Sequence, residues 1–166
     1  MPENESTPIR ILLVDDEEDL VTFLSHRLLK RGFTVTATTS GPEALKAVKG
    51  QTIDVVILDL KMPQMNGIEV LQHLKEEQPY LEAIMLTGHG SHESALEAGR
   101  LKAYRYLIKP YDFDELLALI KEAYSYKVEQ LRTRYQEELE KITGQGLSAL
   151  EILAATEKLR RKYEQK

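Results

Sequence analysis

Five short apolar runs alternate with amphipathic stretches between Ile9 and Tyr126, and four of those runs close on a polar side chain. Ile9-Arg10-Ile11-Leu12-Leu13-Val14 closes on Asp15-Asp16, and Asp54-Val55-Val56-Ile57-Leu58 closes on Asp59. The run ending at Leu86 meets Thr87, and Tyr106-Leu107-Ile108 meets Lys109-Pro110. Near-continuous hydrophobicity in the first and third runs means burial on both faces, as in a parallel sheet between helices. In such a sheet the carboxyl ends of the strands share one edge, where open α/β folds place their ligands. Three carboxylates, a hydroxyl and an ammonium would converge there. That set suits a divalent cation and a transferring phosphoryl group.

The spacing predicts strands over 9–14, 34–37, 54–58, 82–86 and 104–108, each followed by a helix and joined by right-handed crossovers. Ser40 and Glu43, Asn66 and Glu69, and Asp112 and Glu115 each set a capping residue three before a glutamate. Gly32 and Gly50 fall where helices should stop. Residues 1–7 read as a disordered arm, 8–126 as the α/β domain and 127–166 as a helical extension. In the extension a long helix continues to about 143, breaks at 144–146, and a second helix follows over 148–164. Ser148 and Glu151 form a capping box there, and Leu147 can staple to Ile152. The long helix carries a stripe of Tyr124, Val128, Leu131, Tyr135, Leu139 and Ile142; the second carries Ile152, Ala155, Thr156, Leu159 and Tyr163. Single stripes of this kind need a packing partner. The choices are an intrachain hairpin or a homodimer through the C-terminal helices, and the homodimer is the expectation.

A chain of 166 residues is long enough to bury one core. There are no cysteines, which excludes disulfide stapling and thiolate chemistry. No apolar stretch approaches a membrane span, and the acidic start is unlike a secretory signal, so a cytoplasmic location without membrane contact is expected. The net charge of −5 argues against nucleic acid as a partner.

A carboxylate can act as nucleophile toward phosphorus, forming an acyl phosphate, and Asp59 suits this at the end of a central strand. Phosphoryl transfer needs positioning and charge neutralisation, which magnesium provides with oxygen ligands. Asp16 and Asp59 are the candidate direct ligands, with Asp15 holding a bound water. Lys109 supplies a second positive charge, and Thr87 and an amide just after Asp59 donate to phosphoryl oxygens. A cis peptide at Lys109-Pro110 fits the proline.

Four motifs carry a resemblance: Leu13-Val14-Asp15-Asp16-Glu17, Leu58 through Gly67 (Leu-Asp-Leu-Lys-Met-Pro-Gln-Met-Asn-Gly), Leu86-Thr87-Gly88 and Tyr106-Leu107-Ile108-Lys109-Pro110. Over about residues 8–126 the chain resembles the receiver domains of two-component response regulators. The resemblance implies a flavodoxin-like (βα)5 parallel sheet in the order 2-1-3-4-5. It implies that Asp59 takes a phosphoryl group from the phosphohistidine of a sensor histidine kinase or a histidine phosphotransfer protein. It also implies that Asp15, Asp16 and the Lys61 carbonyl place magnesium, and that Tyr106 swings inward with Thr87 on activation. The segment Leu101 to Tyr106 departs from the usual pattern, with Lys102 and Arg105 making it more basic, and the C-terminus shows no recognisable output domain. A phosphorelay intermediate or a phosphate sink therefore stands beside a switch acting through the helical tail or on a downstream protein partner that the sequence leaves unknown.

An Asp-nucleophile phosphohydrolase is the competing enzyme reading. Those enzymes use a second aspartate two residues on, and Lys61 stands there. A nucleotide module is disfavoured because the first strand–helix turn is acidic where a phosphate cradle needs glycines. His89 and His92 read as surface residues, as do His26 and His73, and Met62 and Met65 as packing for the loop after Asp59.

Overall fold

The computed structural model describes residues 7–88 and 103–164. The chain divides into two compact units, Met1–Tyr124 and Ser125–Lys166.

In the first unit, strands β1 (Arg10–Val14), β2 (Thr34–Thr38), β3 (Val55–Asp59), β4 (Glu82–Thr87) and β5 (Arg105–Ile108) form one parallel sheet in the order β2-β1-β3-β4-β5. Helices α1 (Glu18–Lys30), α2 (Gly41–Val48) and α3 (Gly67–Glu77) connect the first four strands. The connection from β4 to β5, where the sequence places a further helix together with His89 and His92, lies outside the described residues. The next helix, α4, runs Phe113–Thr143.

Because successive strand residues point to opposite faces, the apolar runs feed two cores. Ile11, Leu13, Val55, Ile57, Ile84 and Leu86 pack with α1 and the start of α4. Leu12, Val14, Val56, Leu58, Ala83 and Met85 pack with α2 and α3. Both faces of β1, β3 and β4 are thus covered. The edge strand β2, Thr-Val-Thr-Ala-Thr, holds no fully buried residue.

Helix starts are set by local side chains. Asn66 accepts from the Glu69 amide at 3.0 Å while Glu69 accepts from the Asn66 amide at 3.1 Å, a complete capping box. Ser40 accepts from the Glu43 amide. Asp112 differs from the expected pairing: its carboxylate accepts from the Asp114 amide at 2.7 Å, one residue earlier than Glu115. Gly32 closes α1 in the left-handed region at φ +85.

In the second unit the rest of α4 is followed by α5 (Ala149–Glu164). Ser148 and Glu151 cap α5: the Ser148 amide donates to Glu151 at 2.9 Å, and the Glu151 amide donates to the Ser148 hydroxyl at 3.4 Å. The chain doubles back between the helices. Lys162 and Tyr163 both donate to the Glu138 carboxylate, and the Tyr135 and Tyr163 rings meet edge to face at 5.6 Å. The stripe on α4 departs from expectation at one point: Val128 is 45% exposed, and its neighbour Lys127 is buried instead.

Candidate phosphoryl-acceptor site

The register of the sheet assembles the polar strand ends. Val14 pairs with Leu58, so Asp15 comes level with Asp59 on the neighbouring strand. Asp59 pairs with Leu86 and Thr87 pairs with Ile108, which puts Thr87 and Lys109 one step beyond. Neighbouring strands lie about 4.8 Å apart, so four consecutive strand ends place their side chains in one cleft.

Asp15 is fully buried and held on both oxygens. One accepts from the Glu17 amide at 3.0 Å and the other from the Lys109 ammonium at 2.8 Å. Lys109 also stands 3.3 Å from an Asp59 oxygen. Its backbone amide donates to the Thr87 carbonyl at 2.7 Å, and the Lys109-Pro110 peptide is cis. Carboxylate oxygens of Asp15, Asp16 and Asp59 lie within 4.8 Å of one another. Asp16 is exposed, whereas Asp15 and Asp59 are buried.

The loop after Asp59 is tied down from both ends. The Leu60 amide donates to the Leu86 carbonyl at 2.9 Å, and the Gly67 amide donates to the Leu60 carbonyl at 2.9 Å. A Cβ at Gly67 would sit 2.3 Å from the Asp59 carbonyl oxygen, so only glycine lets α3 start this close to the site. Gln64, at the loop's tip, takes the left-handed region at φ +69. Met62 and Met65 pack against the core, and the Lys61 side chain is exposed. Thr87 is buried and Tyr106 is half-buried. His26 and His73 are exposed.

Burial and crowding show in the protonation of Asp59. Burial, and then the Asp15 charge, push the Asp59 carboxyl up to about 6, against the opposing pull of Lys109. Burial alone would lower Lys109, but its hydrogen bond to Asp15 and the fields of Asp15 and Asp59 together raise it. Tyr111, beside the cis peptide, is raised by burial. Its nearness to the site was not legible from the motifs, although its position directly after Lys109-Pro110 is a signal. An all-oxygen donor set within this span fits a hard divalent cation such as magnesium.

The response regulator receiver domain family matches residues 11–121. The chain belongs to this family. Among curated relatives, the receiver is 36% identical over 124 residues to the DNA-binding transcriptional regulator NtrC of Escherichia coli (strain K12), covering 75% of this chain and 26% of that protein. It is 38% identical over 118 residues to the transcriptional regulatory protein ZraR of the same strain, covering 71% of this chain and 27% of that protein. The chain thus spans about a quarter of the length of these curated relatives. Among solved structures, a CheY-like receiver domain protein from Methanospirillum hungatei JF-1 superposes with a TM-score of 0.72 at 27% identity, covering 75% of this chain and 99% of that one. A receiver domain protein from Clostridium thermocellum gives 0.70 at 33% identity, covering 74% and 98%. Sheet order and receiver identity follow the sequence expectation. Among the described residues no helix is long and apolar enough to cross a membrane.

Proposed function

We propose that this receiver accepts a phosphoryl group on Asp59 from the phosphohistidine of a sensor histidine kinase or a histidine phosphotransfer protein. The observation that carries the reading is the convergence of Asp15, Asp16, Asp59 and Lys109 at one sheet edge. An Asp59 oxygen attacks phosphorus, the P–N bond breaks, and the leaving imidazole nitrogen takes up a proton from solvent. The product is an acyl phosphate. Asp15, Asp16, Asp59 and the Lys61 carbonyl would hold magnesium. When bound, that cation supplies neutralisation of charge on the transferring oxygens. Lys109 turns from the carboxylate pair toward the phosphoryl group, and the Thr87 hydroxyl donates to a second oxygen.

That Thr87 bond exists only in the phosphorylated form, and such differential binding is what can shift a population. Tyr106, half-buried on the neighbouring strand β5 and level with Met85, would follow Thr87 inward. The conformational change is read by a protein partner or through the helical tail; an intermediate of a phosphorelay, or a sink, would use the same chemistry without that output. A phosphohydrolase is disfavoured because the residue two beyond Asp59 is an exposed lysine, with no carboxyl to protonate a leaving alcohol.

The test is labelling by acetyl phosphate with magnesium. One acid-stable, base-labile phosphoryl group per chain is expected, absent in Asp59→Asn and absent when magnesium is chelated. Normal labelling of Asp59→Asn, or steady turnover of small phosphate esters, would overturn the reading.

A further inference from the structure

With no cysteine in the chain, its sulfur is all in methionine. Met85 lies inside β4 with no exposure, whereas Met62 and Met65, both in the loop after Asp59, are only half-buried. Met65 is seated on the first residue of α2. A Cβ built on Gly41 would lie 3.2 Å from the Met65 sulfur, 3.1 Å from the Met65 Cβ and 2.7 Å from a Val70 methyl of α3. The bare glycine lets the loop, α2 and α3 meet at one point, and the thioether fills it. From there to the acceptor site is a short walk along the chain. Asn66 caps α3 by accepting from the Glu69 amide at 3.0 Å. The Gly67 amide donates to the Leu60 carbonyl at 2.9 Å, and its Cα backs closely onto the Asp59 carbonyl.

We propose that Met65 is a modification site, where oxidation of the sulfur by a peroxide unseats the loop and slows phosphoryl acceptance by Asp59. The effect on acceptance rests on the function proposed above; the oxidation and the unseating do not. A sulfur lone pair attacks one peroxide oxygen and the O–O bond breaks. The proton on the transferred oxygen passes to the departing hydroxide. The thioether is thereby oxidised to a sulfoxide and the peroxide reduced to water. A thioether sits well against apolar groups, but a sulfoxide oxygen is a polar acceptor that costs free energy when buried without a donor. The Val70 methyl cannot donate, so the oxygen turns to water and draws the side chain off Gly41. The cap and the tie that follow Met65 in the chain then loosen together. Met85, sealed in the sheet, stays reduced.

Brief treatment of the full chain with dilute hydrogen peroxide, followed by peptide mass spectrometry, should add one oxygen to Met65 and none to Met85. In the oxidised chain, hydrogen exchange should quicken at the Gly67 and Glu69 amides, and labelling by acetyl phosphate with magnesium should fall several-fold. A methionine sulfoxide reductase should restore both. Met65→Leu keeps the apolar volume, so it should label at the native rate and lose the response to peroxide, while Met62→Leu should keep that response. Oxidation that spares Met65 would overturn the inference. So would an oxidised Met65 with unchanged exchange at Gly67 and Glu69, or a Met65→Leu chain as sensitive to peroxide as the native one. If the untreated chain takes no label at all, the proposed function fails, and the exchange measurement still decides the modification site.

Discussion

Replacing Asp59 by asparagine should make the metal-free protein more stable at neutral pH, the reverse of what losing a buried ion-paired carboxylate usually does. Burial and Asp15 raise the folded carboxyl from 3.8 to about 6. The folded state therefore binds the proton more tightly than the unfolded state, and the cost grows as pH rises from 3.8 and is full above about pH 6. A displacement of about two units at 1.36 kcal/mol each makes that cost about 3 kcal/mol at pH 7.5. As pH falls through the folded value the cost shrinks. It is roughly half as large at pH 5 and small at pH 4, where the folded carboxyl is protonated and the unfolded one is about half ionised, and it vanishes only well below 3.8. Asparagine keeps the shape and removes the charge, so the variant should gain up to these amounts. Urea unfolding with a chelator present, at pH 7.5, 5 and 4, measures it. Magnesium added at pH 7.5 should then stabilise the native chain more than the variant. A variant less stable than the native chain at pH 7.5, or a gain that does not change with pH, would refute the electrostatic account.

Gly67→Ala should cost about 3 kcal/mol and slow labelling of Asp59, because its Cβ would meet the Asp59 carbonyl oxygen at 2.3 Å and the Leu60 Cα at 2.9 Å, both backbone atoms. Denaturant midpoints and acetyl phosphate labelling report the two effects. Arg10→Ala should cost about 3 kcal/mol in urea unfolding without changing labelling, since it removes the guanidinium that grips the buried Asp54 carboxylate at 2.7 and 2.8 Å and leaves its charge uncompensated by that cation.

The parts of this molecule that the sequence declares are those fixed by local pattern. The Val- and Ile-rich runs become strands because both faces are buried, and the residues closing them reach one edge because parallel strands in register must end together. The burial difference between Asp15 and Asp16 was not legible. Adjacent residues at a strand end point in opposite directions, and only the register decides which faces Lys109. The part-buried pair Arg10 with Asp54 joins positions 44 residues apart, so no local pattern announces it. On α4, Val128 and Lys127 differ by about 100° around the helix axis, and spacings of three and four between Tyr124 and Leu131 admit either one, so the pattern alone does not decide which is covered.

If the proposed function holds, the pairing of Lys109 with two carboxylates has a consequence for the order in which metal and donor would arrive. Asp15, Asp16 and Asp59 with one ammonium leave the cleft at −2 when ionised. A phosphodonor is itself an anion and meets repulsion there, strongest at low ionic strength. A divalent cation meets attraction and brings the same cleft to neutrality. On the proposed function the metal would load first and the donor second, the cleft admitting an anion only after its counterion.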